Sequence, residues 1–264
     1  MSKNIVLDGV VYRGVSTIEF PTEDGGTARM IETDSIPSGT VTITENGTHD
    51  VTGYAEAVVN VVDESTNSAW TSEGIADRSE PNGAITLDGI AKIQNYAFYG
   101  CAGITSASGN AITDLGANCF YGCTALSQIS FPNLVRMGQA QFANTKITEL
   151  TVPNIGSSGL AYGCCTNMKS LVKVDLGPGL TKTGGTSFSN CSALTTLILR
   201  RTDSIVALSN VNDFNGTPFA SGGTGGTIYV PSALIDTYKS ATNWSTINGY
   251  GTVTWVALEG SEYE

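Results

Sequence analysis

One histidine, His49, stands in the whole 264-residue chain, between Thr48 and Asp50 and just after Asn46-Gly47. A single imidazole leaves one candidate for physiological acid–base work and makes a three-histidine metal site impossible. Its place after a turn signal predicts an exposed turn residue rather than a base. No G-x-S-x-G, H-E-x-x-H or G-x-x-x-x-G-K-[ST] pattern occurs, and the glycine-rich stretch at 221–227 lacks a following Lys and leads into Ile228-Tyr229-Val230. A phosphate loop would need a helix N-terminus there. Glu149 and Asp175 are the carboxylates that could pair as the acid and base of a glycosidase. They lie at outward strand positions without neighbouring aromatic platforms, so solvated strand faces are expected. The six cysteines are Cys101, Cys119, Cys123, Cys164, Cys165 and Cys191. They show no C-x-x-C spacing, which argues against zinc. Cys101 and Cys123 occupy equivalent slots, yet Thr145, Met168 and Cys191 fill that slot elsewhere, so a reduced, buried column is expected. No catalytic residue, metal or cofactor is expected from these groups.

The elements that would position such groups recur with a fixed period. Phe98, Phe120 and Phe142 stand at a constant interval of 22, and Phe188 follows after 46, which is twice 23. Carrying the other slots across puts a degenerate copy between them, with Cys165 in the phenylalanine position and Met168 in the cysteine position. Five residues before each phenylalanine slot stand Ile93, Leu115, Met137, Leu160 and, as the one departure, Thr183. Each unit then runs into a short strand: Leu126, Ile129, Phe131; Ile147, Leu150, Val152; Leu171, Val174, Leu176; Leu194, Leu197, Leu199. Such a strand cannot bury its apolar face alone, so consecutive units must stack on a shared core.

These residues resemble the BspA-type leucine-rich repeats, whose units read roughly I-x-x-I-G-x-x-A-F-x-x-C-x-x-L-x-x-I-x-L-P, over about residues 84–230. IAKIQNYAFYGCAGI, FYGCTALSQISFP and FSNCSALTTLIL carry the likeness, and TIYVPSALIDTYKSATNW is similar to the segment that closes such arrays. The resemblance implies a mainly β protein. Its centre would be a leucine-rich-repeat solenoid of five coils, each of about 22–23 residues. A C-terminal helical and strand cap would follow, and a small N-terminal β domain would come before. The resemblance also implies a surface or adhesive module rather than an enzyme.

The first sixty residues read differently from the repeats. Short β-like runs alternate with Asp-Gly turns, and TVTITENGTHDV meets Asn46-Gly47, a hairpin signal, before AEAVVNVV supplies the next strand. Residues 63–83 lose periodicity and gather Ser, Glu, Asp and Gly. The expected organisation is a small anchoring β domain over 1–62, a linker over 63–83, repeats over 84–200 and a cap over 201–264. In the cap, Pro231 precedes Ser232 as a helix N-cap, and Leu234, Ile235, Tyr238 and Trp244 close the core. Trp255, in a last strand, would pack on the cap or pair with another chain.

MSKNIVLDGVVY and GTVTITENGTHDVTGYAEAVVNV are similar to openings of structural proteins of tailed phages that infect Gram-positive gut bacteria. That resemblance implies a non-enzymatic virion protein of the tail or head fibre or decoration type. Its N-terminal domain would meet capsid or tail proteins, its repeats would meet a host surface protein or glycan, and it could assemble as a homo-oligomer. A bacterial cell-surface adhesin is the alternative, and a carbohydrate-active enzyme stands last. The formal charge of −11, with only 13 Lys and Arg, disfavours nucleic acid and anionic membranes. No run is long and apolar enough to insert in a bilayer, and the N-terminus has no secretory pattern. Repeat arrays act mostly through the row of outward strand residues. The candidate ligand row is Gln128 and Ser130, Glu149 and Thr151, Lys173 and Asp175, Thr196 and an exposed Ile198, ending at Arg200.

Overall fold

The computed structural model describes residues 83–87, 91–93, 95–249 and 253–264, together with seven short strands nearer the N-terminus. Those seven are β1 (Asn4–Leu7), β2 (Val10–Arg13), β3 (Ile18–Pro21), β4 (Thr27–Met30), β5 (Gly39–Ile43), β6 (Ala57–Val61) and β7 (Ser68–Ala69). β1 pairs with β2, and β3 with β4, as antiparallel ribbons. β5 and β6 pair in parallel, Thr40 facing Val58, where Asn46-Gly47 predicts a hairpin. A parallel pair needs a crossover instead of a tight turn. The turn residues and His49 themselves lie outside the described residues.

The repeats follow as β8 (Gly83–Thr86), β9 (Lys92–Ile93), β10 (Ile104–Ser108), β11 (Asp114–Leu115), β12 (Gln128–Ser130), β13 (Arg136–Met137), β14 (Glu149–Val152), β15 (Lys173–Leu176) and β16 (Thr196–Leu199). β17 (Gly226–Val230) and β18 (Val253–Ala257) complete the described strands. Three parallel sheets result, in the orders β12-β10-β8-β6-β5, β13-β11-β9-β7 and β14-β15-β16-β17-β18. β5 and β6 thus extend the sheet of the first repeats, and β7, within the span expected as a linker, pairs with β9. An edge left open at β8 would present a row of unpaired N–H and C=O groups, which these strands satisfy.

Equivalent slots meet across neighbouring units, as the period requires. Phe98 stacks on Phe120 at 5.2 Å, Phe120 on Phe142 at 5.9 Å, and Phe188 on Phe214 at 5.5 Å between ring centroids. Cys165, with no exposed surface, fills the gap between Phe142 and Phe188. Ile93, Leu115, Met137 and Leu160 are at most 3% exposed and run alongside. Each fully buried large side chain of this kind stabilises the stack by roughly 1.5–3 kcal/mol. Phe214 continues the column outside the sequence expectation, because it follows Phe188 at more than the repeat interval and falls beyond the array's anticipated end at 200.

The strand ladder breaks once, between β12 and β14, which are not paired. The cause is visible in the chain. Phe120 precedes its strand leucine, Leu126, by six residues, whereas Phe142 precedes Ile147 by five. The shorter turn contains Thr145, whose hydroxyl folds back onto the Phe142 carbonyl at 2.9 Å. Lys146 N–H still reaches the Leu126 carbonyl at 2.8 Å, so the units stay in contact although their strands do not join.

Two bends flank every phenylalanine slot, each with a residue at positive φ. Tyr96, Asn118, Ala140, Gly163 and Thr186 form one column, and Gly100, Gly122, Asn144, Asn167 and Asn190 the other. Glycine and asparagine tolerate this region best, which explains their recurrence in the second column. Gly138 answers a different need. A Cβ there would sit 2.5 Å from the Gly116 carbonyl carbon, so consecutive units approach too closely for any side chain.

The far end of the core is closed by α1 (Ile235–Ser240) and α2 (Trp244–Gly249). Tyr238 and Trp244 are fully buried over the last units, with Leu234 and Ile235 packed beside them, as the sequence predicts. Trp255 stacks against Tyr238 at 5.7 Å and donates to the Asn248 side chain at 3.0 Å. The expected N-cap role of Ser232 is not realised. Ser232 lies inside a short 3-10 turn whose cap position is Pro231, and its N–H donates to Glu259 Oε2 at 2.8 Å. Thr183, the polar departure from an apolar column, is explained by a buried cluster. Its hydroxyl donates to Asp213 Oδ2 at 2.7 Å and accepts from Ser209 N–H at 2.9 Å.

Candidate functional site

The candidate row divides into an open and a closed half. Gln128, Ser130, Glu149 and Thr151 are exposed, on strands whose inward residues are half-buried or buried. Because β12 and β14 belong to different sheets, Gln128 and Ser130 are not laddered onto Glu149 and Thr151. From β14 onward the register is continuous: Glu149 faces Lys173, Thr151 faces Asp175, and Lys173 faces Thr196.

From Glu149 onward the charges are spent on each other. Lys173 Nζ meets Glu149 Oε2 at 2.5 Å. Arg200 holds Asp175 with both Nε and Nη2, at 2.7 and 2.9 Å. These partners raise the Lys173 and Arg200 pKa values above their ordinary positions, the bond to Glu149 acting on the first and the bond to Asp175 on the second. The two carboxylates considered as an acid and base are thus each tied to a cation of a neighbouring repeat.

Ile198 does not stand out to solvent as expected; it is completely buried. On its face of the sheet it lies between Asp175 and Tyr229 in register. The chain after β18 returns over that face. Tyr263 packs edge-on against Tyr229 at 4.8 Å and takes the Lys173 ammonium over its ring at 5.7 Å. This tail is fastened by Leu258 N–H on the Val230 carbonyl at 2.9 Å, and by Glu259, whose own and Ser232 N–H groups hold its carboxyl below the usual range. An alternating pattern could mark Ile198 as outward, but not that a segment sixty residues later would cover it.

All six cysteines are buried as thiols. Burial pushes the Cys191 thiol up to about 12, and Cys119 rises further for the same reason despite the Gln141 amide beside its sulfur. Cys123 and Cys191 each donate to a carbonyl of the preceding unit, at 3.1 and 3.0 Å, as small buried groups of the core.

A second surface escaped the sequence reading. On the bends beside the phenylalanine slots, Tyr96 is 43% and Tyr99 37% exposed, and Tyr99 stacks on Tyr121 at 5.1 Å with rings 5° from parallel. The signal was present in the repeated Phe-Tyr-Gly of Phe98-Tyr99-Gly100 and Phe120-Tyr121-Gly122.

Among solved structures, the chain is similar to a leucine-rich repeat protein from Bacteroides ovatus ATCC 8483. The identity is 17% and the TM-score 0.49, over 83% of this chain and 58% of that one, so the chain spans less than two thirds of its length. A leucine rich cell surface protein from Faecalibacterium prausnitzii A2-165 is 11% identical with a TM-score of 0.25, over 94% of both chains. No curated protein matches the chain. Nothing in these similarities supports the virion role expected from the N-terminal segment. The family model described as BspA type Leucine rich repeat region matches residues 91–210 in six copies.

Proposed function

We propose that the stacked repeats form a solenoid whose open strand row binds a cell-surface partner, as in a BspA-type adhesin, and that the chain works by binding rather than by catalysis. The observation that carries this reading is the division of the row. Gln128, Ser130, Glu149 and Thr151 stay exposed, while from the Glu149–Lys173 pair onward the row is zipped by ion pairs and covered by the tail. A short, hydrogen-bonding, weakly charged surface suits a protein or glycan partner held by several modest contacts. The N-terminal strands, which extend the first repeat sheet, would support this open half. The virion reading rests on the N-terminal resemblance alone, and the adhesin reading replaces it.

The test is saturable binding of the fluorescent full chain to intact bacterial and epithelial cells, compared with a Ser130→Arg/Thr151→Arg double variant. Both residues are exposed, so the variant keeps its fold. Saturable binding that the variant loses is expected. Equal binding by both chains would overturn the strand-row assignment, and no saturable binding to either cell type would overturn the adhesin reading.

A further inference from the structure

The bends that carry Tyr96, Tyr99 and Tyr121 differ from every later repeat. In the column after the phenylalanine, Tyr99 and Tyr121 are followed by Ala143, Thr166 and Ser189. The aromatic stack therefore stops at Tyr121, and a buried alanine forms the next step. Beside the two rings, the positive-φ column holds Gly100 and Gly122 where later repeats hold Asn144, Asn167 and Asn190. A Cβ on Gly122 would find only the Gly100 backbone, 3.7 Å away, so bare main chain borders the ring pair. Later asparagines close this strip, Asn167 donating to Asn144.

Tyr96 adds a separate observation. It adopts φ 62 in the slot where Asn118 has φ 56 and Gly163 φ 61. The repeat imposes this bend on every unit, Ala140 and Thr186 included, and a bulky residue accepts it at a cost of roughly 1–2 kcal/mol. Here the strained residue lies 5.8 Å from Tyr99, tilted 55° to its ring, and remains exposed.

The chemistry around the rings selects the ligand. Residues 95–103, 116–125 and 138–145 contain no Asp, Glu, Lys or Arg. Their exposed or half-buried side chains include Tyr96, Tyr99 and Tyr121 and the amides Asn95, Asn118 and Gln139. An aromatic face, negative at its centre, attracts polarised C–H groups, while hydroxyls and amides fix orientation through hydrogen bonds. These three segments bring no charged side chain of their own to a charged peptide or phosphate. Pyranose rings present apolar C–H faces with equatorial hydroxyls at the rim.

We propose that Tyr96, Tyr99 and Tyr121 form a binding platform for a neutral glycan, with one sugar ring laid on the tyrosine edge above Ala143 and the bare Gly100–Gly122 backbone. This site is separate from the strand row. Affinity electrophoresis of the full chain through gels containing galactomannan, xyloglucan or mixed-linkage β-glucan tests it. Retardation by at least one polysaccharide is expected, with the dissociation constant rising about tenfold in Tyr121→Ala, the loss of one stacked ring. Tyr121→Trp should retain binding, and Ser130→Arg/Thr151→Arg should leave it unchanged. Mobility unaffected by all three polysaccharides would overturn the proposal, as would retardation that Tyr99→Ala and Tyr121→Ala both leave intact. Loss in the strand-row variant alone would place the sugar on the other face and equally overturn it.

Discussion

Replacing Asp213 by alanine should be among the most damaging single changes at the C-terminal end of the array, although the residue belongs to neither candidate ligand surface. Asp213 has no exposed area. Its carboxyl accepts Thr183 Oγ1 at 2.7 Å and Ser187 N–H at 3.0 Å, and Asn210 N–H closes a capping box at 3.5 Å. Truncation removes the acceptor and leaves two well-aligned donors buried. Each orphaned group costs about 1–3 kcal/mol, so a loss of roughly 3–5 kcal/mol is expected. Thr183→Val should cost about 1–3 kcal/mol, since it strands Ser209 N–H and leaves Asp213 Oδ2 with only the 3.5 Å bond from Asn210 N–H. The double variant should fall short of the sum by about 1–2 kcal/mol, because both changes remove the same bond. Urea unfolding followed by circular dichroism and by tryptophan fluorescence measures this, the two probes also testing whether the array unfolds in one step. An Asp213→Ala variant within about 1 kcal/mol of the parent, or a strictly additive double variant, would refute the idea that a buried polar cluster ends the apolar column.

Further outcomes follow from other contacts. Gly138→Ala places a Cβ 2.5 Å from Gly116 backbone and should lower stability by about 2–4 kcal/mol through forced separation of two units, read as a fall in melting temperature. A disulfide exchange reagent should modify none of the six cysteines in the native chain and all six in denaturant, with no change on prior reduction; fast labelling of any thiol in the folded protein would contradict the burial. Alkaline pH should destabilise the fold. Burial lifts Tyr238 from 10.0 to about 12 and Cys191 from 9.0 to about 12. A raised folded-state pKa gives stability that is complete below the unfolded value and lost as pH climbs through the folded one. Unfolding free energy should therefore hold up to about pH 8.5 and decline between about 9 and 12, each group losing up to roughly 1.4 kcal/mol for every tenfold difference in proton affinity between the unfolded and folded chain. A flat profile across that range would exclude these two groups as its source.

Much of this architecture is legible in the chain because stacking repeats one problem many times. Phe98, Phe120, Phe142 and Phe188 give the period, and the column method finds Cys165 in a unit that has lost its phenylalanine, since every slot must face its counterpart. Phe214 evades the same logic because three additional residues enter the bend before it, and a tolerated insertion is invisible to a fixed interval. The five-residue step from Phe142 to Ile147 was equally visible, but that it would part β12 from β14 depends on how two strands align in space. Asn46-Gly47 favours a local hairpin and lies outside the described residues; β5 and β6, the described strands on either side of it, pair in parallel as part of the repeat sheet.

For the candidate sites the division is sharper. The sequence by itself determined the repeat, the apolar columns, the closing cap and the polar strand row, all consequences of local periodicity and the need to bury one face. Only the tertiary structure decided which part of that row is open. Lys173, Asp175 and Arg200 meet their partners only when units stack, and Ile198 disappears beneath neighbours brought in by β17 and the returning tail. The tyrosine platform likewise exists only once Tyr99 and Tyr121, one repeat apart in the chain, come within 5.1 Å. Exposure is a property of the whole surface, and the residues that cover or join a position arrive from units the local pattern does not describe.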